Sequence, residues 1–389
     1  MGAILLKAVA CARCAQVIVM GKSKLKEDYI MRRVKKAAAL TLAAAMVFSL
    51  AGCGRNAGNQ TGKAQGAAAG SGENAAGSLE AGSGQVTIKI GHVEAEDRST
   101  HQALVKYFKQ AVEEKSGGTI KVEIYPNSAL GGDSELTESV AMGTLQAALP
   151  STSVLVSYSP EFGIMDMPWL FDKAESAFAA MDGDMGNYFN EKLETVGIHC
   201  LGYSYNGLRS MTNNVRPITK PEDLKGLKMR VMENQVFIDF FNTLGASATP
   251  MSFNELFTGL QQNTVDGQEN PPSLIYASRL QEVQKYLSVT EHVNNFLGFI
   301  INKNFYDGLS QEQQQIVTEA AAEFVKQQRQ MELQDTQVYI DKLKESGMQV
   351  NTLTPEEKTA FKEALAPMYE KYKAEFGEEI FSMAEEYGQ

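Results

Sequence analysis

The chain has 389 residues, room for two or three domains of ~100–200 residues each. Hydrophobic residues make up 43% and charged residues 21%, which excludes a chain that is disordered throughout. The formal net charge of −11 is unevenly spread, because the first 53 residues hold nine Lys/Arg against two Asp/Glu and the remainder 27 against 45. A body this acidic argues against nucleic acid as a partner, since phosphate contact relies on clustered Lys and Arg.

In chain order, residues 37–51 carry no charge and follow the basic run Met31-Arg32-Arg33-Val34-Lys35-Lys36. This pattern predicts an export signal. Fifteen apolar residues are too few for a permanent span, which needs about 20. The stretch ends Leu50-Ala51-Gly52-Cys53 and resembles the lipobox of bacterial lipoproteins. The resemblance implies that Cys53 is lipidated and becomes the mature N-terminus, holding the protein on the extracytoplasmic face of a bacterial membrane. Met31 reads as the natural start, so residues 1–30 are expected to be a start-site extension, and the spacing of Cys11 and Cys14 within them has no metal or redox context. Residues 54–85 are mostly Gly, Ala, Ser, Asn and Gln, with one bulky apolar residue, Leu79. They are expected to form a flexible tether, ~30 Å across on average.

From Val86 the pattern becomes regular. Val86, Ile88 and Ile90 alternate with polar residues, as in a strand. Ser99 or Thr100 is expected to cap a helix with Leu104, Phe108 and Val112 on one face, ending at Gly117-Gly118. Ile120, Val122 and Ile124 predict a second strand, Asp133 caps a helix through Leu136 and Val140, and 146–149 predicts a short third strand. This order is the signature of an α/β layer with a mostly parallel sheet. The rhythm restarts later: Leu227, Met229 and Val231 alternate against Lys228 and Arg230, and Ser252 with Glu255 reads as a capping box. Residues 263–267 then turn into another short strand. The last third is helical, with boxes at Ser310/Gln313 and Thr354/Glu357. Two α/β units and long bracing helices predict two lobes with a cleft between them. Cys200 reads as a buried strand residue and Trp169 as a hydrophobic anchor.

The inventory for catalysis is thin. His92, His101, His199 and His292 form no HExxH or other close ligand pair, and no Walker A motif or GxSxG elbow occurs. No metal, cofactor or enzymatic activity is therefore expected. Two arginines stand out. Arg230 lies opposite the apolar residues of its predicted strand, and Arg209 follows an apolar–aromatic run at what reads as another strand end. In open α/β sheets ligands sit outside the carboxyl ends of strands. A guanidinium fork matches a carboxylate with two parallel hydrogen bonds. The same positions also suit a salt bridge to one of the abundant acids.

Five segments follow in order with close spacing: 124–133 (IYPNSALGGD), 206–209 (NGLR), 221–231 (PEDLKGLKMRV), 244–250 (LGASATP) and 261–271 (QQNTVDGQENP). Together they resemble the substrate-binding subunits of TRAP transporters, the DctP-type family, from about Val86 to the C-terminus. The resemblance implies a periplasmic-binding-protein-like clamshell that closes on a small carboxylate and delivers it to TRAP membrane permease subunits. It implies that Arg230 grips the carboxylate, Arg209 is a second cationic contact, Asn270 hydrogen-bonds the ligand and Phe253 packs beneath it. Asn206 lies in the same motif as Arg209, and Glu94 and Ser151 occupy positions that vary with the ligand. The sialic-acid branch usually places an acid near Ser151, and none stands there in this sequence. The implied domain plan is interleaved: lobe one is 86–207 plus about 296–336, and lobe two is 208–295 plus about 337–389.

Sugar acids or uronates, C4-dicarboxylates and keto acids all suit one carboxylate clamp, with sugar acids favoured by the polar loops of the first lobe. An ABC-type sugar-binding lipoprotein is the competing reading, weakened by a single Trp and a paired cation. A surface-anchored hydrolase is the third, weakened by the missing nucleophile–base constellation.

Overall fold

The computed structural model describes residues 85–388. The expected extension at 1–30, signal peptide at 31–53 with Cys53, and tether at 54–85 (apart from residue 85) lie outside the described residues.

The first unit is β1 (Val86–Gly91), a helix over 99–115 (α1), β2 (Ile120–Tyr125), α2 (Asp133–Ala141) and the two-residue β3 (Ala147–Ala148). β1 pairs in parallel with both β2 and β3. Leu104, Phe108 and Val112 are fully buried as their spacing requires, and the middle of α1, Leu104–Lys109, winds as a π-helix. Helices α3 (Ala174–Asp182) and α4 (Asp184–Glu194) lead into β4 (Ile198–Asn213). The second unit comprises β5 (Lys228–Val231), α5 (Gln235–Thr243), β6 (Ser247–Pro250), α6 (Phe253–Gln261), β7 (Gly267–Asn270) and α7 (Pro272–Ala277). β8 (Tyr286–Asn302) returns along β4, followed by α8 (Gln311–Glu345), β9 (Gln349–Thr352) and the C-terminal helices α9 (Pro355–Ala364), α10 (Ala366–Phe376) and α11 (Glu378–Tyr387).

All nine strands join one sheet, ordered β2-β1-β3-β8-β4-β7-β5-β6 with β9 added to β8. The sheet is mixed where a mostly parallel one was expected. β3–β8, β8–β4 and β4–β7 are antiparallel, and the parallel pairs lie toward the ends, apart from β9 on the central β8. β3 attaches to Ile300 and Ile301 near the end of β8, whereas β7 attaches to the last four residues of β4. The β4–β8 ribbon therefore runs through two half-sheets, and the α/β fold is two-lobed about it.

Three hydrophobic clusters hold this arrangement. One packs α1 and the first part of α8 against β1, β2 and the C-terminal end of β8. Another joins α6, β9 and the far end of α8, at Leu343, to Leu287 and Val289 of β8. The third extends through α2–α5 and the C-terminal helices across both half-sheets. Helix α8 has 35 residues and is about 50 Å long, so a single element buries apolar residues in a cluster at each end. Its middle is polar and faces the ribbon. Gln328 both accepts from Tyr205 N and donates to Tyr205 O, each at 2.8 Å. Those groups flank the break in β4–β8 register between Tyr205 and Gly207. The side chain thus supplies partners that the bulge takes away from the ladder.

Several local expectations change. Arg209 lies inside β4, beside a second register break at Arg209/Met211, and not at a strand end. Asp133 is the first residue of α2 and Gly132 its cap. Arg98 occupies the cap position of α1, ahead of Ser99. Ser252 caps α6 without a side-chain hydrogen bond, so that box does not form, whereas those at Ser310/Gln313 and Thr354/Glu357 do. The strand expected after the turn at 263–267 is Gly267–Asn270. Cys200 is a buried strand residue. Trp169 donates Nε1 to Thr290 O and packs against Phe240 and Phe361, a hydrophobic anchor as expected.

Gly207 sits at the bulge with φ +120°, and a Cβ there would stand 2.8 Å from Pro271 Cβ. Gly207→Ala is expected to cost ~1–3 kcal/mol through backbone strain and overpacking. Urea denaturation should show this as a lower midpoint at unchanged slope, and an unchanged midpoint would count against the tight crossing.

Candidate ligand-binding site

Three arginines are among the largest fully buried side chains, and their partners differ. Arg98, in the loop after β1, is saturated. Its Nε donates to Glu94 Oε2 at 2.5 Å, Nη1 to Glu332 Oε1 at 3.1 Å and to Ser273 Oγ, and Nη2 to Asn206 O at 3.2 Å and Oδ1 at 2.8 Å. The cluster joins the first unit, α7 and the centre of α8.

Arg209 is also committed. Nε donates to Glu269 Oε2, Nη2 to Glu269 Oε1 at 2.7 Å and to its backbone oxygen at 2.6 Å, and Nη1 to Asn295 Oδ1 at 3.2 Å. Four of its five N–H groups are thereby used. Burial acts to raise the Glu269 carboxyl, but the adjoining Arg209 guanidinium and the His292 ring hold it below the usual carboxylate range.

Arg230 is the exception. Nε donates to Met251 O at 2.8 Å. Nη1 is buried with no hydrogen-bond partner, and no acid forms an ion pair with the guanidinium among the described residues. Burial lowers its pKa to about 10, with Glu269 opposing. A buried charge without a counter-charge is costly, and β5 presents it between β6 and β7, next to other polar groups.

Those groups line a small cavity of about 20 Å³, well below the ~300–1,000 Å³ typical of open ligand sites. All seven ligand-site residues expected from the sequence border it: Arg230, Arg209, Asn270, Phe253, Asn206, Glu94 and Ser151. Val93, Met232, Leu274 and Leu297 supply apolar walls, and a second, smaller space shares Arg230, Met232 and Phe253 with it. Asn295 ties the far wall together: it accepts from Asn206 Nδ2 at 2.8 Å and donates to Ser151 Oγ at 3.2 Å. Asn270 donates to Gln268 Oε1 at 2.5 Å. Phe253 opens α6 as a half-buried ring.

The sequence did not single out Asp133, which borders both spaces. Its place at a helix start is a sufficient structural reason for an acid there, and that reason hid the second one. Burial, then the charge of Glu94, push its carboxyl up to about 7, with Arg230 opposing. It also brings an acid near Ser151, whose backbone opposes that rise. Glu269 lay within the quoted motif but between two polar residues, with no sign of burial. Arg98 stood four residues after Glu94, a spacing that could have suggested the pair.

A larger cleft of about 650 Å³ lies between α3, α4, β4 and α8, away from these groups; it is lined by Lys326 and by Arg329, which is bound by Asp182 and Tyr203 O. Among the described residues no group of three or more His, Cys, Asp or Glu is placed to hold a metal, and no helix is long and apolar enough to cross a membrane.

Residues 90–375 match the DctP family, described as bacterial extracellular solute-binding protein, family 7. The chain belongs to this family. It is a TRAP-type substrate-binding subunit, in a family of transport binding proteins. It is similar to the 2,3-diketo-L-gulonate-binding periplasmic protein of Escherichia coli, with 35% identity over 279 residues, 72% of this chain and 84% of that protein. Among solved structures it is similar to the sugar acid binding protein of Advenella mimigardefordensis in complex with galactonate, at 38% identity and TM-score 0.76, covering 78% of this chain and 99% of that one. A solute-binding protein of Sulfurospirillum deleyianum with bound succinate is similar at 29% identity and TM-score 0.74, with 78% and 99% coverage.

The contrast between the arginines makes opposite predictions for the ligand-free protein. Glu269→Ala strands Arg209 and is expected to lower stability by ~3–5 kcal/mol. Arg230→Met removes an uncompensated charge and is expected to leave the melting temperature at or above that of the parent. Calorimetric melting of both variants checks this, and a large loss in Arg230→Met would mean that the guanidinium has a structural partner.

Proposed function

We propose that this protein is an extracytoplasmic receptor that captures a small organic acid, a sugar acid or uronate or a C4-dicarboxylate, on Arg230 and delivers it to TRAP permease subunits. The observation that carries this reading is the buried guanidinium of Arg230, with Nη1 unpartnered at the wall of the cavity. A ligand carboxylate supplies both the missing charge and the missing acceptors. The names of the relatives support the class: a diketogulonate in one, galactonate and succinate in others. A neutral sugar would leave Arg230 uncompensated, which disfavours the ABC-type sugar receptor.

Within this reading Arg209 contributes positive potential and one free N–H, its other donors being held by Glu269 and Asn295. Asn270, Asn206 and Ser151 contribute polar edges, Phe253 an apolar floor, and Glu94 a ligand-dependent contact. The lobes divide at 207/208 and about 295/296, where the ribbon has its register break at Tyr205/Gly207. Cys53 carries the lipid that holds the receptor at the membrane, and 54–85 is its tether.

Removing the arginine should cost ~2–5 kcal/mol of binding. Isothermal titration of Arg230→Ala with a panel of sugar acids and C4-dicarboxylates is expected to show no measurable binding. Arg230→Lys should bind weakly, since an ammonium keeps the charge but loses the fork. Near-normal affinity in a folded Arg230→Ala protein would rule out the clamp.

A further inference from the structure

The cavity holds unmet hydrogen-bond demand of both signs. Arg230 Nη1 is a donor without an acceptor, whereas Glu94 Oε1 and Asp133 Oδ1 are buried acceptors without a donor. Glu94 comes from the loop after β1, Asp133 from the start of α2 and Arg230 from β5, and all three border the same space. Glu94 is not free to turn to another protein donor without loss. The second carboxylate oxygen of Glu94 is held by Arg98, itself saturated. The acidity of both is suppressed, Asp133 to about 7 by burial and then by Glu94, and Glu94 upward by burial against the pull of Arg98.

The three demands define a ligand. It must accept at one end, toward Arg230, and donate at the other, toward the two acids. An ionised dicarboxylate offers only acceptors and would bring a second negative charge against Glu94 and Asp133. A hydroxylated monocarboxylate offers a carboxylate at one end and O–H donors along its chain. Resting on the receptor reading above, we propose that the site selects polyhydroxylated monocarboxylates over dicarboxylates, with Asp133 and Glu94 as specificity-determining residues that accept hydrogen bonds from ligand hydroxyls. Leaving such acceptors unmet, or facing them with a carboxylate, disfavours the dicarboxylate by about ten-fold or more.

Titration calorimetry of the purified protein tests this, with D-galactonate, D-erythronate and L-gulonate as hydroxylated probes and succinate as the dicarboxylate. The measurement is made at about pH 8.5, on the ionised side of the Asp133 value of about 7. At least one hydroxylated acid is expected to bind about ten-fold or more tightly than succinate. In Asp133→Asn, which keeps the shape but adds an N–H donor, the preference should shrink by about five-fold or more, mainly through tighter succinate binding. Glu94→Gln is the second variant should the first fail to melt cooperatively, and the same shrinkage is expected. Succinate binding as tightly as the best hydroxylated acid, or a preference that both substitutions leave unchanged, would overturn the inference while leaving the carboxylate receptor intact. Binding of none of the four would overturn the receptor reading and this inference with it.

Discussion

A guanidinium taken out of water needs an anion beside it or it costs the fold several kcal/mol. The protein meets this condition for Arg98 with Glu94 and Glu332, and for Arg209 with Glu269, but not for Arg230. The neighbouring acids do not make up the deficit, because Asp133 forms no ion pair with Arg230 and Glu269 is already shared between Arg209 and His292. The anion is left to come from outside. On the proposed reading binding and folding are linked through one charge, a ligand carboxylate offsetting a cost that the empty state bears.

The rest of the architecture keeps that charge where a ligand can reach it. Two long antiparallel strands cross between the half-sheets, and three register breaks in β4 interrupt their ladder between Cys200 and Met211. A bulged ribbon bends more readily than a regular one, and bending of a few such residues is how clamshell proteins close. Gln328, Arg329 and Glu332 on one face of α8 then fasten the bulged segment, Gln328 to Tyr205, Arg329 to Tyr203 O and Glu332 through Arg98 to Asn206. The helix braces both lobes apolarly at its ends and holds the ribbon polarly at its centre.

Much of this was legible in the sequence where a local rule decides the outcome. Ser310/Gln313 and Thr354/Glu357 fix helix starts by their own hydrogen bonds, and the alternation in β1 and β2 marks strands with one face in a core. The long strands were not legible. β8 is buried on nearly every residue and so shows no alternation, and Gly202 and Gly207 break the period of β4 at its bulges. The seven residues expected to bind the ligand border one cavity, but that expectation came from motifs resembling a family, since no local rule says that Asn270 and Glu94 will meet. Asp133, Arg98 and Glu269 were missed for a common reason: a charged residue in a polar stretch carries no mark of burial, which only the tertiary fold imposes.

The measurement that bears most directly on this account is a crystal structure of the protein with a bound organic acid. The account predicts the ligand carboxylate on the fork of Arg230, with Nη1 now partnered and Arg209 still paired with Glu269. A carboxylate seated on other groups, with Nη1 of Arg230 left bare, would contradict it.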